Sequence, residues 1–176
     1  MTQRRLAPDY ILVSSDRIHD IVVRLGVEVT AHCSGELLVV GVLKGSVIFL
    51  ADLVRQINRP FEIDFITVSS YHFGVVTSGT VTIHQDTRID PKGRHVILVE
   101  DIVDSGLTIE KLREHFLAKG ARRVTVVALL TRGVRSGVLA GEVLKSDTFV
   151  LGYGLDHHER YRGLPDIWSS KWIEVI

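Results

Sequence analysis

The densest run of chemistry-bearing residues in this chain lies between Arg94 and Thr108, RHVILVEDIVDSGLT. Val96, Ile97, Leu98 and Val99 make a continuous apolar stretch, the pattern of a strand buried on both faces. Glu100 and Asp101 follow at once, where such a strand is expected to end. Asp104, Ser105, Gly106, Leu107 and Thr108 then form a short polar loop that opens into the amphipathic run IEKLREHFLAKG. A strand, a small-residue turn and a helix start make an anion site, because unpaired backbone N–H groups and the helix dipole converge there. Ser105 and Thr108 add hydroxyl donors. Carboxylates repel phosphate, so the acids beside this loop point to something next to the anion: sugar hydroxyls, Mg²⁺ or a proton in transit.

Taken singly, these features are ordinary. A Ser or Asp before a helix is commonly an N-cap, and an acidic pair after a strand is commonly a solvated loop. The combination is what carries weight: two acids, a third three residues on, and Ser, Gly and Thr at the turn, all behind one apolar strand. No GxxxxGK[ST] phosphate loop occurs in the chain, and no GxGxxG follows any strand.

The elements that must position these residues read as alternating strands and helices. Ser15 or Asp16 is expected to cap a first helix, with Ile18, Ile21, Val22, Leu25 and Val29 on one apolar face. A buried strand over 36–43 ends in Lys44-Gly45-Ser46, a second small-residue turn, before a helix from Val47 to about Ile57. Strands are expected over 62–70, 81–84, 96–99, 124–130, 148–151 and 171–176, with a helix over 109–119 closed by Gly120. This alternation predicts an α/β fold with a mostly parallel twisted sheet flanked by helices, here as one domain over 1–176. Ligands bind such sheets outside the carboxyl ends of the strands. That rule puts Lys44-Gly45, Glu100-Asp101-Asp104, Arg132 and the Tyr153–Asp156 segment along one edge. The stretch from Tyr71 to Gly79 carries Gly, Ser and Thr between strands and suits a lid, although taken alone a plain hairpin loop is the better reading.

Composition sets the class. The 176 residues are 45% hydrophobic and 24% charged, which is globular, and Lys+Arg and Asp+Glu are 21 each, so the chain lacks the basic excess expected of a nucleic-acid surface. Cys33 is the single cysteine, which excludes a disulfide framework or thiolate metal site within the chain. The eight histidines show no HExxH or comparable ligand spacing, and the adjacent pair His157-His158 reads as a solvent-facing loop. The first residues lack the apolar core of a secretory signal and no run reaches membrane-span length, so a cytoplasmic protein is expected.

VILVEDIVDSGLT closely resembles the phosphoribosyl pyrophosphate (PRPP) signature of type I phosphoribosyltransferases. Val42-Leu43-Lys44-Gly45-Ser46, Ser69-Ser70-Tyr71, the run from Phe149 to Asp156 and Glu159-Arg160-Tyr161-Arg162-Gly163-Leu164-Pro165 narrow it. In order and spacing they are similar to the hypoxanthine-guanine phosphoribosyltransferases. The resemblance implies that fold, with a small hood from the C-terminal segment, and transfer of phosphoribosyl from PRPP to a 6-oxopurine, releasing pyrophosphate. It implies a 5′-phosphate on Asp104, Ser105, Gly106, Leu107 and Thr108, and ribose hydroxyls on Glu100 and Asp101, directly or through Mg²⁺. Pyrophosphate would meet Lys44, Gly45 and Arg162, with a strained peptide at Leu43-Lys44. Asp104 would carry the proton chemistry at N7 of the base. Phe149 would stack on the purine, Val150 would meet its position 2, and Asp156, on the base side, would be a second Mg²⁺ contact. Ser70 and Tyr71 would close over the site. A homodimer or homotetramer is implied, with an interface that could use the Lys44–Ile57 segment.

The sequence also departs from that family. Arg132 stands where a lysine usually donates to the purine O6; its fork could reach O6 and N7 together, which leaves the choice among hypoxanthine, guanine and xanthine open. Lys145-Ser146-Asp147 replaces a proline-bearing turn, and His157 stands where a tyrosine is common. The competing reading is a catalytically weak sensor of PRPP or nucleotide on the same fold; retention of Asp104, Asp156 and Arg162 together favours the enzyme.

Overall fold

The computed structural model describes residues 3–70, 81–145 and 148–175. Among these residues, nine strands and three helices run in the order β1 (Gln3–Val13), α1 (Ser15–His32), β2 (Leu37–Leu43), α2 (Val47–Leu53), β3 (Phe61–Ser70), β4 (Val81–Gln85), β5 (His95–Val103), α3 (Leu107–Ala118), β6 (Arg123–Arg132), β7 (Val138–Leu144), β8 (Val150–Leu151) and β9 (Ile167–Val175). A 3-10 turn, Val54–Gln56, extends α2 close to the expected limit at Ile57.

Six strands form one sheet in the order β4-β3-β2-β5-β6-β7, parallel throughout except for β4. The apolar runs in β2, β5 and β6 are continuous because both sheet faces are covered. On one face Leu37, Val39, Ile97, Val99, Val127 and Leu129 pack with α1 and α2. On the other, Leu38, Val40, Val96, Leu98, Val126 and Ala128 pack with Ile109, Leu112 and Phe116 of α3. The five residues expected on the apolar face of α1 are all buried.

The structure corrects several expectations. The cap of α1 is Ser14, whose Oγ accepts from the amide of Arg17 at 3.3 Å, not Ser15 or Asp16. Asp166 Oδ1 accepts from the Ser15 amide at 2.7 Å and ties this helix start to the C-terminal region. The strand carrying the acidic pair does not end before Glu100. It continues through Val103, because ladder pairing with β6 persists to Val103–Thr131. α3 starts at Leu107, two residues earlier than the apolar periodicity suggests, because Gly106 adopts φ +87 and its carbonyl accepts from the Glu110 amide.

Two strands are unannounced by the sequence. β7 contains Gly141, where a Cβ would lie 2.3 Å from the carbonyl oxygen of Leu129 and 2.5 Å from Ile21; a residue that weakens strand propensity is needed for close packing. β1 contains Pro8 and two arginines, yet pairs antiparallel with β9 from Gln3–Val175 to Val13–Ile167, with register shifts after Pro8 and Ile11. It lies at the edge of a three-stranded sheet, β1-β9-β8, where a missing amide is tolerated. The hood is therefore built by both termini rather than by the C-terminal segment alone. Among the described residues no helix is long and apolar enough to cross a membrane.

Phe116 is fully buried and locks α3 against the sheet. Phe116→Ala is expected to lower unfolding free energy by about 3–5 kcal/mol through lost burial and the cavity left behind. Urea denaturation measures this; a loss under ~1 kcal/mol would show that α3 is not held by this contact.

Candidate active site

The carboxyl ends of β2, β3 and β5 and the start of α3 open onto a cleft of about 290 Å³ lined by Leu43, Val68, Glu100, Asp101, Asp104, Ser105, Gly106 and Thr108. Its floor is the strand end of β5. The helix start at Leu107 leaves the first-turn amides without intrahelical acceptors; the Leu107 amide reaches only Ser105 Oγ, at 3.4 Å. The strand, glycine turn and helix start expected from the sequence are contiguous here, and Ser105, Gly106 and Thr108 line the cleft.

Glu100 and Asp101 meet at the wall of this cleft. Asp101 is 8% exposed and its Oδ1 accepts from the Ile102 amide at 2.8 Å. Burial, reinforced by the charge of Asp101, pushes the Glu100 carboxyl well above the usual carboxylate range. Burial raises Asp101 as well, against the hydrogen bond from Glu100 and the charge of Arg162, which lower it.

The second small-residue turn closes on this pair. A Cβ on Gly45 would lie 1.7 Å from Asp101 Oδ2, so only glycine admits the turn there. A Cβ on Gly154 would in turn lie 2.0 Å from the carbonyl oxygen of Gly45, so the hood loop rests on the same turn. The Leu43–Lys44 peptide is cis. Arg162 organises the loop: it donates to the Gly154 carbonyl at 2.7 Å and pairs with Asp156 at 2.8 Å and Glu159 at 3.1 Å. Glu159 also takes Lys44 Nζ at 3.0 Å. These two cations hold the Glu159 carboxyl below its usual range, first through the hydrogen bond from Lys44. Tyr153 donates to Asp52 Oδ2 at 2.6 Å and anchors the loop to α2; burial and that partner push its hydroxyl far up.

On the opposite side of the anion loop, Arg132 Nε lies 3.4 Å from Asp104 Oδ2 while Nη2 donates to the Thr148 carbonyl at 2.9 Å. Asp104 is largely exposed and Arg132 largely covered. Phe149 and Val150 divide: Val150 is core, whereas Phe149 is 46% exposed with its ring edge-on to His157 at 5.8 Å. His157 also meets the exposed Trp172 ring at 6.1 Å, so the His157-His158 pair belongs to an aromatic cluster rather than to bare solvent.

The structure thus brings Lys44, Gly45, Glu100, Asp101, Asp104 to Thr108, Arg132 and Arg162 to one strand edge. Asp156 joins Arg162, and among the described residues no three metal-ligating side chains cluster. Ser70 ends β3, and Tyr71 with its loop lies outside the described residues. Glu159 is the residue that sequence reasoning quoted without a role; a glutamate three residues before Arg162 was its only signal.

A carboxyl held above its unfolded value binds more protons folded than unfolded, so stability falls as pH rises past the ordinary glutamate value of about 4.3. Glu100→Gln removes that dependence. Urea unfolding of both proteins at about pH 5 and about pH 8 is expected to show the variant gaining on the wild type as pH rises. A difference independent of pH would contradict the raised carboxyl.

Comparison with known proteins fits this geometry. The family model for the phosphoribosyl transferase domain matches residues 14–158. The chain is 41% identical over 172 residues to the hypoxanthine-guanine phosphoribosyltransferase of Streptococcus pneumoniae strain R6, covering 92% of each. It is 40% identical over 168 residues to that of Bacillus subtilis strain 168, again covering 92% of each. A crystal structure of a hypoxanthine phosphoribosyltransferase from Staphylococcus aureus superposes with a TM-score of 0.86 at 34% identity, over 93% of this chain and 92% of that one. One of a Bacillus anthracis hypoxanthine-guanine phosphoribosyltransferase superposes with a TM-score of 0.84 at 34% identity, over 95% and 99%. By the matched domain and by identity over nearly its whole length, this chain belongs to the phosphoribosyltransferase family, among its hypoxanthine-guanine phosphoribosyltransferases.

Proposed function

We propose that this chain, acting as a single domain, transfers the 5-phosphoribosyl group of PRPP to N9 of a 6-oxopurine in purine salvage. The C1′–N9 bond forms as the bond from C1′ to pyrophosphate breaks, and the base loses one proton. The observation that carries the residue assignment is the 3.4 Å approach of Arg132 Nε to Asp104 Oδ2 beside the anion loop. One carboxylate there stands between phosphate donors and a guanidinium.

In this reading the 5′-phosphate rests on the amides of 105–108 and the Ser105 and Thr108 hydroxyls. Glu100 and Asp101 take the ribose hydroxyls. Phe149, whose ring is exposed, supplies a stacking face, and Val150 supplies backbone at the purine's position 2. Arg132 donates to O6 and Asp104 accepts the proton shared with N7 as N9 becomes the nucleophile. Lys44, the Gly45 turn and Arg162 oppose the charge growing on pyrophosphate, which requires both cations to leave Glu159. Ser70 and Tyr71 close over a centre that water would otherwise attack.

The donor set suits Mg²⁺, which keeps several waters and uses one or two carboxylates with substrate oxygens. Glu100 and Asp101 would hold it, with Asp156 reaching a second ion. Two adjacent carboxyls both raised by burial are a place where a divalent cation offsets unfavourable charge. When bound, it supplies positive charge against the departing pyrophosphate. A homodimer or homotetramer is the expected assembly.

Asp104→Asn is expected to lower turnover of hypoxanthine by about two to four decades while leaving PRPP affinity nearly intact. Pyrophosphate release and calorimetric titration of PRPP measure the two. Turnover that survives the substitution would remove Asp104 from the proton chemistry.

A further inference from the structure

We propose that Arg135 is a positioning residue for this reaction, its guanidinium fixing the main chain of Asp104 and the anion loop from behind. The inference rests on the role given to Asp104 above.

Asp104 occupies a short gap between regular elements. The β5–β6 ladder ends at Val103–Thr131 and α3 begins at Leu107. Gly106 between them has φ +87, a conformation that leaves the loop free to pivot unless something outside it holds it. Arg135 supplies that hold. It sits in the turn that joins β6 to β7, donates from Nη2 to the Asp104 carbonyl, and brings Nη1 to 3.0 Å from where a Gly106 Cβ would be. Its Nε is buried and has no acceptor among the described residues. A buried donor without an acceptor costs stability, and such groups persist where a constraint on geometry outweighs that cost.

Asp104 is gripped twice, by the last residue of β6 and by the turn that follows it. Arg132 approaches its carboxylate and Arg135, three residues on, takes its carbonyl. The base-side guanidinium and the proton-bearing carboxylate are thereby set in one frame, although they belong to different strand ends. A second strap, Arg113 Nη2 to the Gly137 carbonyl at 3.0 Å, ties the far end of the turn to α3 without touching the Asp104 peptide. Arg113 therefore separates two effects: holding the turn, and holding Asp104.

The test uses the full chain with PRPP, hypoxanthine and Mg²⁺, following pyrophosphate release for Arg135→Met, Arg135→Lys, Arg113→Met and Asp104→Asn. A misplacement of about 1 Å at a reacting group costs on the order of a hundredfold. Arg135→Met is expected to lower kcat about ten- to a hundredfold, and Arg135→Lys, which keeps a donor on a long stem, to recover most of it. Arg113→Met is expected to stay within about threefold of wild type. If Arg135→Met does not fold, Arg135→Gln takes its place in the comparison with lysine. An Arg135→Met enzyme within threefold of wild type beside an inactive Asp104→Asn overturns this inference alone. Equal losses for Arg113→Met and Arg135→Met also overturn it, since the turn would then act only as structure. An active Asp104→Asn overturns the reading of Asp104 on which it stands.

Discussion

Two carboxylates on consecutive residues of a buried strand are the constraint around which this site is arranged. Glu100 and Asp101 sit in β5, two to three residues before its carboxyl end, one partly covered and the other 8% exposed, and burial pushes both carboxyls up. Charge buried without a partner is among the costliest features a fold can carry. The surrounding groups reduce that cost step by step. The two side chains are hydrogen-bonded to each other, the Ile102 amide donates to Asp101, and the charge of Arg162 reaches across from the hood. What remains is a strand end prepared for positive charge or hydroxyl donors, beside a helix start prepared for an anion.

The scaffold follows from this arrangement. β5 lies in the interior of the parallel sheet, where continuous apolar residues on both faces hold the strand end still. Gly45 and Gly154 stack two turns onto Asp101 at separations that no side chain would permit. The hood, tied to the sheet by Tyr153–Asp52 and Asp166–Ser15, brings the charge of Arg162 to Asp101 and leaves Phe149 exposed. Glu159 is the counterweight. It holds Lys44 and Arg162 when no pyrophosphate competes for them, so the cations assigned to that group are already gathered at the right edge.

Much of this was legible in the residues, and the reasons are specific. The sheet interior announced itself because strands covered on both faces are apolar without interruption, as in β2, β5 and β6. The anion loop was legible because a strand, a glycine turn and a helix start are contiguous in sequence. β1 and β7 were not, since Pro8 and Gly141 argue locally against strands and are tolerated only by an edge position and a close packing contact that the fold creates. Glu159 was missed for a related reason: its meaning depends on Lys44, 115 residues away. Phe149 and Val150 are adjacent apolar residues, and only the three-dimensional arrangement shows that one is buried and the other faces out.

The most direct test of the central claim is a steady-state assay with PRPP and Mg²⁺, offering hypoxanthine, guanine, xanthine and adenine separately and following pyrophosphate release. The account predicts turnover with at least one 6-oxopurine and none with adenine, whose 6-amino group would set donors against the donors of Arg132. Binding of PRPP without turnover on any base would contradict it and leave a sensor on this fold. Preference for adenine would contradict the role given to Arg132.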